Sequence, residues 1–248
     1  MSFELAVVIS FFLLALVGAA AVVRLERAAR ERREEAMRSE ARARGWQFEA
    51  ADDGIFRLWR WRGVTDAIAW TAEYRRGRHR KGTTHARTHR FVWWADTLRG
   101  PASPVLFIGV PRGGEPPAFA VAPGGGGLVA RMARKAAGFA FDQAVDVYFG
   151  TEAGSQVDAG AMKRIESGTP PGFIVMAADP AEGVRLLLSG WSDALSTQVR
   201  DAQSALSDQK RPWVLLLPRR VSLARMAEVT AADVGRFARA GAALVKRT

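Results

Sequence analysis

The chain of 248 residues contains no cysteine, which removes a disulfide scaffold, a zinc ribbon and a thiol nucleophile from consideration. The same absence fits a reducing compartment. Histidine is nearly as scarce, with three in all, His79, His85 and His89. Gly-x-Ser-x-Gly and His-Glu-x-x-His are missing, and Gly124 to Gly127 is followed by no Gly-Lys-Ser or Gly-Lys-Thr. That glycine run reads as a connector. Carboxylates such as Asp142, Asp146, Asp179 and Asp193 are scattered and suit exposed helix faces or caps. No catalytic residue, metal site or cofactor is therefore assigned, and a tethered enzyme without a recognisable motif stands only as the alternative.

What is present is an ordinary globular composition, 48% hydrophobic and 25% charged, with a marked excess of base. Lys and Arg number 36 against 25 Asp and Glu, a formal net charge of +11. Such a chain attracts phosphate-bearing partners, whether nucleic acid or an anionic lipid surface.

The longest uncharged run is Leu5 to Val23, LAVVISFFLLALVGAAAVV. At about 1.5 Å per residue a helix of this length just crosses roughly 30 Å of hydrocarbon. A cleaved signal peptide competes, since Ala19 to Ala21 would suit cleavage. The segment before the run carries Glu4 and no base, however, and the flank after it is rich in arginine. Positive charge stays on the cytoplasmic side. The sequence thus predicts a single-pass anchor in a bacterial inner membrane, with the N-terminus outside and the remaining domain cytoplasmic.

Residues 24–44 contain eight Arg and five Glu. Glu26 with Arg30, Glu34 with Arg38 and Glu40 with Arg44 have the favourable i,i+4 order. With no apolar stripe, this helix reads as a solvated stalk ending at Gly45. Residues 45–248 then form an α+β domain with a mainly antiparallel, Trp-rich sheet and packed helices, divisible into lobes 45–123 and 124–248. Trp59 and Trp61 alternate with Arg60 and Arg62; Ile68, Trp70, Ala72 and Tyr74 share a face; Thr84 to Trp94 pairs with them across a loop from Gly77 to Gly82. Val105 to Val110, Gly172 to Ala178, Trp213 to Leu217 and Val221 to Arg225 read as further strands. PVLFIGVPR from Pro104 and PWVLLLPR from Pro212 are alike, but short apolar strands between prolines recur without common origin, and a single shared stretch does not make a repeat. Helices are expected over Leu128 to Ala144, from Pro180 with Val184, Leu187, Leu188, Trp191 and Leu195 on one side, and after the cap made by Thr230 and Asp233.

The densest charge lies in Arg75 to Arg90, RRGRHRKGTTHARTHR, which has no acid. His85 and His89 have the spacing of zinc ligands on a helix, but on a strand their Cα atoms would stand about 13 Å apart. As a phosphate-binding hairpin the stretch offers Arg75, Arg76, Arg78, Arg80 and Lys81 to an anionic partner. Tyr74, Phe91, Trp93 and Trp94 could stack on nucleic-acid bases, or could equally be core. Anionic lipid head groups are the nearest polyanion to an anchored chain. The partners expected are thus the lipid bilayer and its anionic head groups, with a membrane protein or a second copy as further candidates and nucleic acid as the weaker one. The function expected is that of a non-enzymatic binding or assembly subunit.

The order of these features, with ARGWQFEAADDGIFRLWRWRG, IAWTAEYRR, RFVWWADTL, VLFIG, GFIVMAADPAEGVRLLLSGWSDAL and WVLLLPRRVSL, resembles an uncharacterised proteobacterial family of single-span membrane-anchored proteins with a cytoplasmic α+β domain. In that family a Trp-containing sheet precedes a strand and an Asp-Pro helix start with a Leu-Leu pair, matched here by Asp179, Pro180, Glu182, Leu187 and Leu188. The resemblance implies a fold and no known activity.

Overall fold

Alternation of tryptophan and arginine organises the first half of the chain. In a computed structural model, residues 3–52, 56–77, 89–110, 115, 117, 128–191, 193, 195 and 212–247 are described, with side chains from residue 15 onward and, within 128–149, from residue 135 onward. Strands β1 (Gln47–Asp52), β2 (Phe56–Thr65), β3 (Ile68–Gly77) and β4 (His89–Asp96) form an antiparallel meander. Trp59 and Trp61 on β2, Trp70, Ala72 and Tyr74 on β3, and Phe91 and Trp93 on β4 are buried on one face. Because side chains alternate along a strand, Arg60, Arg62, Thr71, Glu73, Arg75 and Arg90 are sent to the other.

The sheet continues through β5 (Val105–Gly109), β6 (Lys163–Ile165), β7 (Phe173–Ala177), β8 (Trp213–Leu217) and β9 (Arg220–Arg225). Its nine strands run in the order β1-β2-β3-β4-β9-β8-β5-β7-β6, with every neighbouring pair antiparallel. β5 and β8, the two stretches that resemble each other in sequence, lie side by side. Strands from both halves of 45–248 therefore share one sheet. The α+β class with a large antiparallel sheet is the observed fold.

Helices cover the two faces unequally. On the tryptophan face lie α1 (Phe3–Ala43), α4 (Pro180–Leu186) with the π turn Leu187–Trp191 after it, and α5 (Ala231–Val245). α5 starts in the expected capping box of Thr230 and Asp233. Asp179 caps α4 by accepting from the Ala181 N–H. On the other face α2 (Leu128–Phe149) and α3 (Thr151–Gly154) cover β4, β9, β8, β5 and β7 through Phe141, Val145, Phe149 and Ala153. Tyr148 stacks on Trp213 at 3.8 Å between ring centroids. Across β1, β2 and β3 that second face carries Arg60, Arg62, Thr71, Glu73 and Arg75 together with Phe56, Leu58 and Val64, and no helix among the described residues.

Three expectations need correction. The first is the transmembrane helix, and with it the single-pass, inner-membrane placement with the N-terminus outside. α1 runs without a break from Phe3 to Ala43, and among the described residues no helix is long and apolar enough to cross a membrane. The uncharged run is no separate element: the same helix continues through the arginines and glutamates of residues 24–43.

The second is the stalk. The three i,i+4 pairs of Glu26, Glu34 and Glu40 all form, yet from Arg33 onward the helix is fastened to the sheet. Met37 and Ala41 are buried, and the arginines provide what an apolar stripe would have provided. Arg33, Arg38 and Arg44 lie over Trp59, Phe48 and Trp46 at 5.5, 5.8 and 5.1 Å. Arg33 also pairs with Glu228 and donates to the Val229 carbonyl, while Glu34 accepts from Arg57. The third concerns Leu188, which is 81% exposed. α4 gives way to the π turn, where Gly190 takes φ 90°, so Leu187 and Trp191 turn inward without Leu188.

Candidate functional site

Three arginines of β2, β3 and β4 gather around one carboxylate. Arg60 on β2 stands directly across from Glu73 on β3, Arg75 lies two residues along β3 on the same face, and Arg90 on β4 stands across from Arg75. Two like charges in direct cross-strand register repel. Glu73 offsets this by accepting from both, at 2.7 Å from Arg75 Nε and 3.2 Å from Arg90 Nη2 through the same oxygen. Its second oxygen accepts from Arg60 Nη2 at 3.0 Å. The Glu73 side chain is only 8% exposed. Burial alone would raise its pKa, but the Arg60 hydrogen bond and the charges and hydrogen bonds of Arg75 and Arg90 outweigh burial and hold the carboxyl below the usual range. For Arg90, burial and the neighbouring Arg75 charge lower the pKa, with Glu73 opposing them.

Arg62 occupies the next position of this face, across from Thr71 on one side and Gln47 on the other. It is exposed and has no ion-pair partner among the described residues. Beyond Thr71 the same row continues with half-buried Trp94 and buried Ser222.

The end of α2 closes this surface into a cleft. Gly150 turns the chain at φ 92°, a left-handed conformation that favours glycine. α3 thereby starts beside Arg90, and Phe149 and Ala153 pack into the second core. The resulting cleft holds about 450 Å³ between the arginine rows and this corner. Arg220 lies at its far side, where it pairs with Glu152 at 3.1 Å and Asp96 at 3.6 Å. Counting all charged groups that line it, five guanidiniums meet Glu73, Asp146 and Glu152. Of these, Arg60, Arg75 and Arg90 are held by Glu73 before any ligand arrives.

The basic residues singled out in the sequence are divided by this geometry. Arg75 lines the cleft. Arg76, its neighbour, faces the opposite side of the sheet and lies half-buried near Tyr74 and Arg33. Arg78, Arg80 and Lys81 lie outside the described residues, as do His79, His85 and most of the loop expected at Gly77 to Gly82. His89 is on β4 and hydrogen-bonds to the Tyr74 hydroxyl at 2.5 Å. The stacking platform is also dissolved. Tyr74, Phe91 and Trp93 are buried in the core, and of the four aromatics only Trp94 reaches the arginine face.

The residues missed in the sequence are Glu73, Arg60, Arg62, Arg90 and Arg220. The alternation WRWR placed Arg60 and Arg62 on one face, and the spacing of Glu73 and Arg75 placed these two together. What joins the pairs is the strand register.

No protein-family profile and no curated protein matches the chain. Among solved structures it is similar to the crystal structure of the mycobacterial trehalose monomycolate transport factor A, TtfA, with a TM-score of 0.46 and 9% identity, over 86% of this chain and 93% of that one.

Proposed function

We propose that this chain is a non-enzymatic binding or assembly protein whose arginine-bearing half-sheet holds an anionic partner. The observation that carries the reading is the cluster of Arg60, Arg75 and Arg90 fixed by one buried glutamate. Guanidiniums stay protonated under all ordinary conditions, so they bind and orient anions rather than transfer protons. Glu73 is held ionised by its three partners and cannot act as an acid near neutral pH. The cluster is thus suited to holding a charge in place. Phosphate-bearing lipid head groups are the partner that fits a positive, recessed and partly aromatic surface of this kind.

Sedimentation of the full-length chain with phosphatidylcholine vesicles, with and without an anionic lipid, tests this reading. Retention that requires the anionic lipid and is lost in the charge-reversed variant Arg62→Glu with Arg75→Glu supports it. Equal retention by the variant, or on neutral vesicles, contradicts it.

A further inference from the structure

We infer that the cleft beside the α2–α3 corner takes a doubly charged phosphate group, that of a phosphomonoester or of inorganic phosphate. The inference rests on the anion-binding reading above and narrows it to a ligand class.

The charge count is the first argument. At the arginine rows themselves, Arg60, Arg62, Arg75 and Arg90 meet Glu73 and, 4.0 Å from Arg60, Glu49, a local net charge of +2, while at the far side Arg220 is taken up by Glu152 and Asp96 and the α2–α3 corner holds Asp146. A singly charged carboxylate or phosphodiester leaves half of that excess unmatched, whereas a phosphate dianion cancels it. Donor supply is the second. Each guanidinium offers five N–H groups, and Glu73 takes one from each of Arg60, Arg75 and Arg90. The remaining N–H groups stay on side chains whose positions Glu73 already holds, so less conformational entropy is lost when a tetrahedral oxyanion binds. Arg62 adds a guanidinium with no ion-pair partner among the described residues.

Shape supports the same class. The row beyond Arg62 supplies the hydroxyl of Thr71, then the half-buried ring of Trp94, then the hydroxyl of Ser222. A phosphate seated among the arginines would therefore have hydrogen-bonding oxygens beside it and an aromatic wall for the group that it carries. The cleft of about 450 Å³ is within the usual size of small-ligand sites, roughly 300–1,000 Å³.

Titration calorimetry of the full-length chain at slightly alkaline pH tests the class directly, with phenyl phosphate and inorganic phosphate as dianions and diphenyl phosphate and acetate as monoanions. The expected result is binding of the two dianions, with affinity weakened about tenfold in Arg62→Ala and unchanged in Arg185→Ala, an exposed arginine of α4 remote from the cleft. Binding of the monoanions as tightly as the dianions overturns the inference, as does an Arg62→Ala variant that binds phenyl phosphate like the parent chain.

Vesicles separate the two sources of the group. Retention on phosphatidic acid, a monoester, that is displaced by free phosphate assigns the cleft to a lipid head group, whereas phosphate binding without such retention assigns it to a soluble ligand; either supports the inference. Equal retention on phosphatidic acid and phosphatidylglycerol, with no heat from phosphate, overturns the dianion class while leaving the broader anion-binding function in place.

Discussion

Glu73 has almost no water around it and three guanidiniums within hydrogen-bonding distance, so its ionised form is coupled to the fold. Its pKa lies below the ordinary value, so the stability it contributes is fully present above that value and is lost as pH falls through the depressed one. The window opens at roughly pH 4, the ordinary glutamate value, and extends downward. Glu73→Gln should lower stability by roughly 1–3 kcal/mol at neutral pH. In urea melts across an acid series, the difference between parent and variant should shrink as pH falls through that window. A difference independent of pH contradicts the role given to the carboxylate.

A second residue-scale prediction concerns Gly241 on α5, where an added Cβ would lie 2.3 to 2.5 Å from the Trp93 ring. Alanine there would gain about 1 kcal/mol of helix propensity in an open site. Against a buried indole, overpacking costs about 1–3 kcal/mol. Gly241→Ala should therefore lower the urea midpoint, and a raised midpoint would show that Trp93 can move aside.

At the scale of elements, α1 combines a readable pattern with an unreadable contact. Its intrahelical ion pairs follow from residue spacing alone, which is why Glu26, Glu34 and Glu40 each meet the arginine expected of them. Its attachment to the sheet was not legible, because the attaching groups are arginine planes over Trp59, Phe48 and Trp46, and a search for apolar stripes passes over cations. Met37 and Ala41, one helical turn apart, were the available apolar signal. Replacing Arg33 and Arg38 by alanine should raise amide hydrogen exchange across residues 33–43 while leaving β4 and β5 protected. Unchanged exchange in that segment would mean that Met37 and Ala41 hold the helix without them. The strands were easier to read, because period-two alternation in β2 and β3 and unbroken apolar runs in β5, β7 and β8 reflect burial on one face and on two.

For the whole molecule, the net charge of +11 resolves into arginines with different tasks. Several of α1 hold the helix to itself and to the sheet, and Arg60, Arg62, Arg75 and Arg90 of β2, β3 and β4 line a cleft. The sequence already showed an acid-free basic run that starts at Arg75, a residue that lines the cleft. It could not show that Arg76 would be turned to the other face, nor that Arg60, Arg62 and Arg90 would join Arg75, since that depends on which residues of three strands stand opposite each other. Helical length read from composition alone likewise pointed to a membrane span that the described structure does not contain. The most direct test of the proposed anion binding is the salt dependence of retention on anionic vesicles, from about 50 to about 500 mM, for the parent chain and the Arg62→Glu, Arg75→Glu variant. A steep loss of binding with salt in the parent and little binding at any salt in the variant is the predicted result. Parallel, salt-insensitive curves for the two proteins would contradict it.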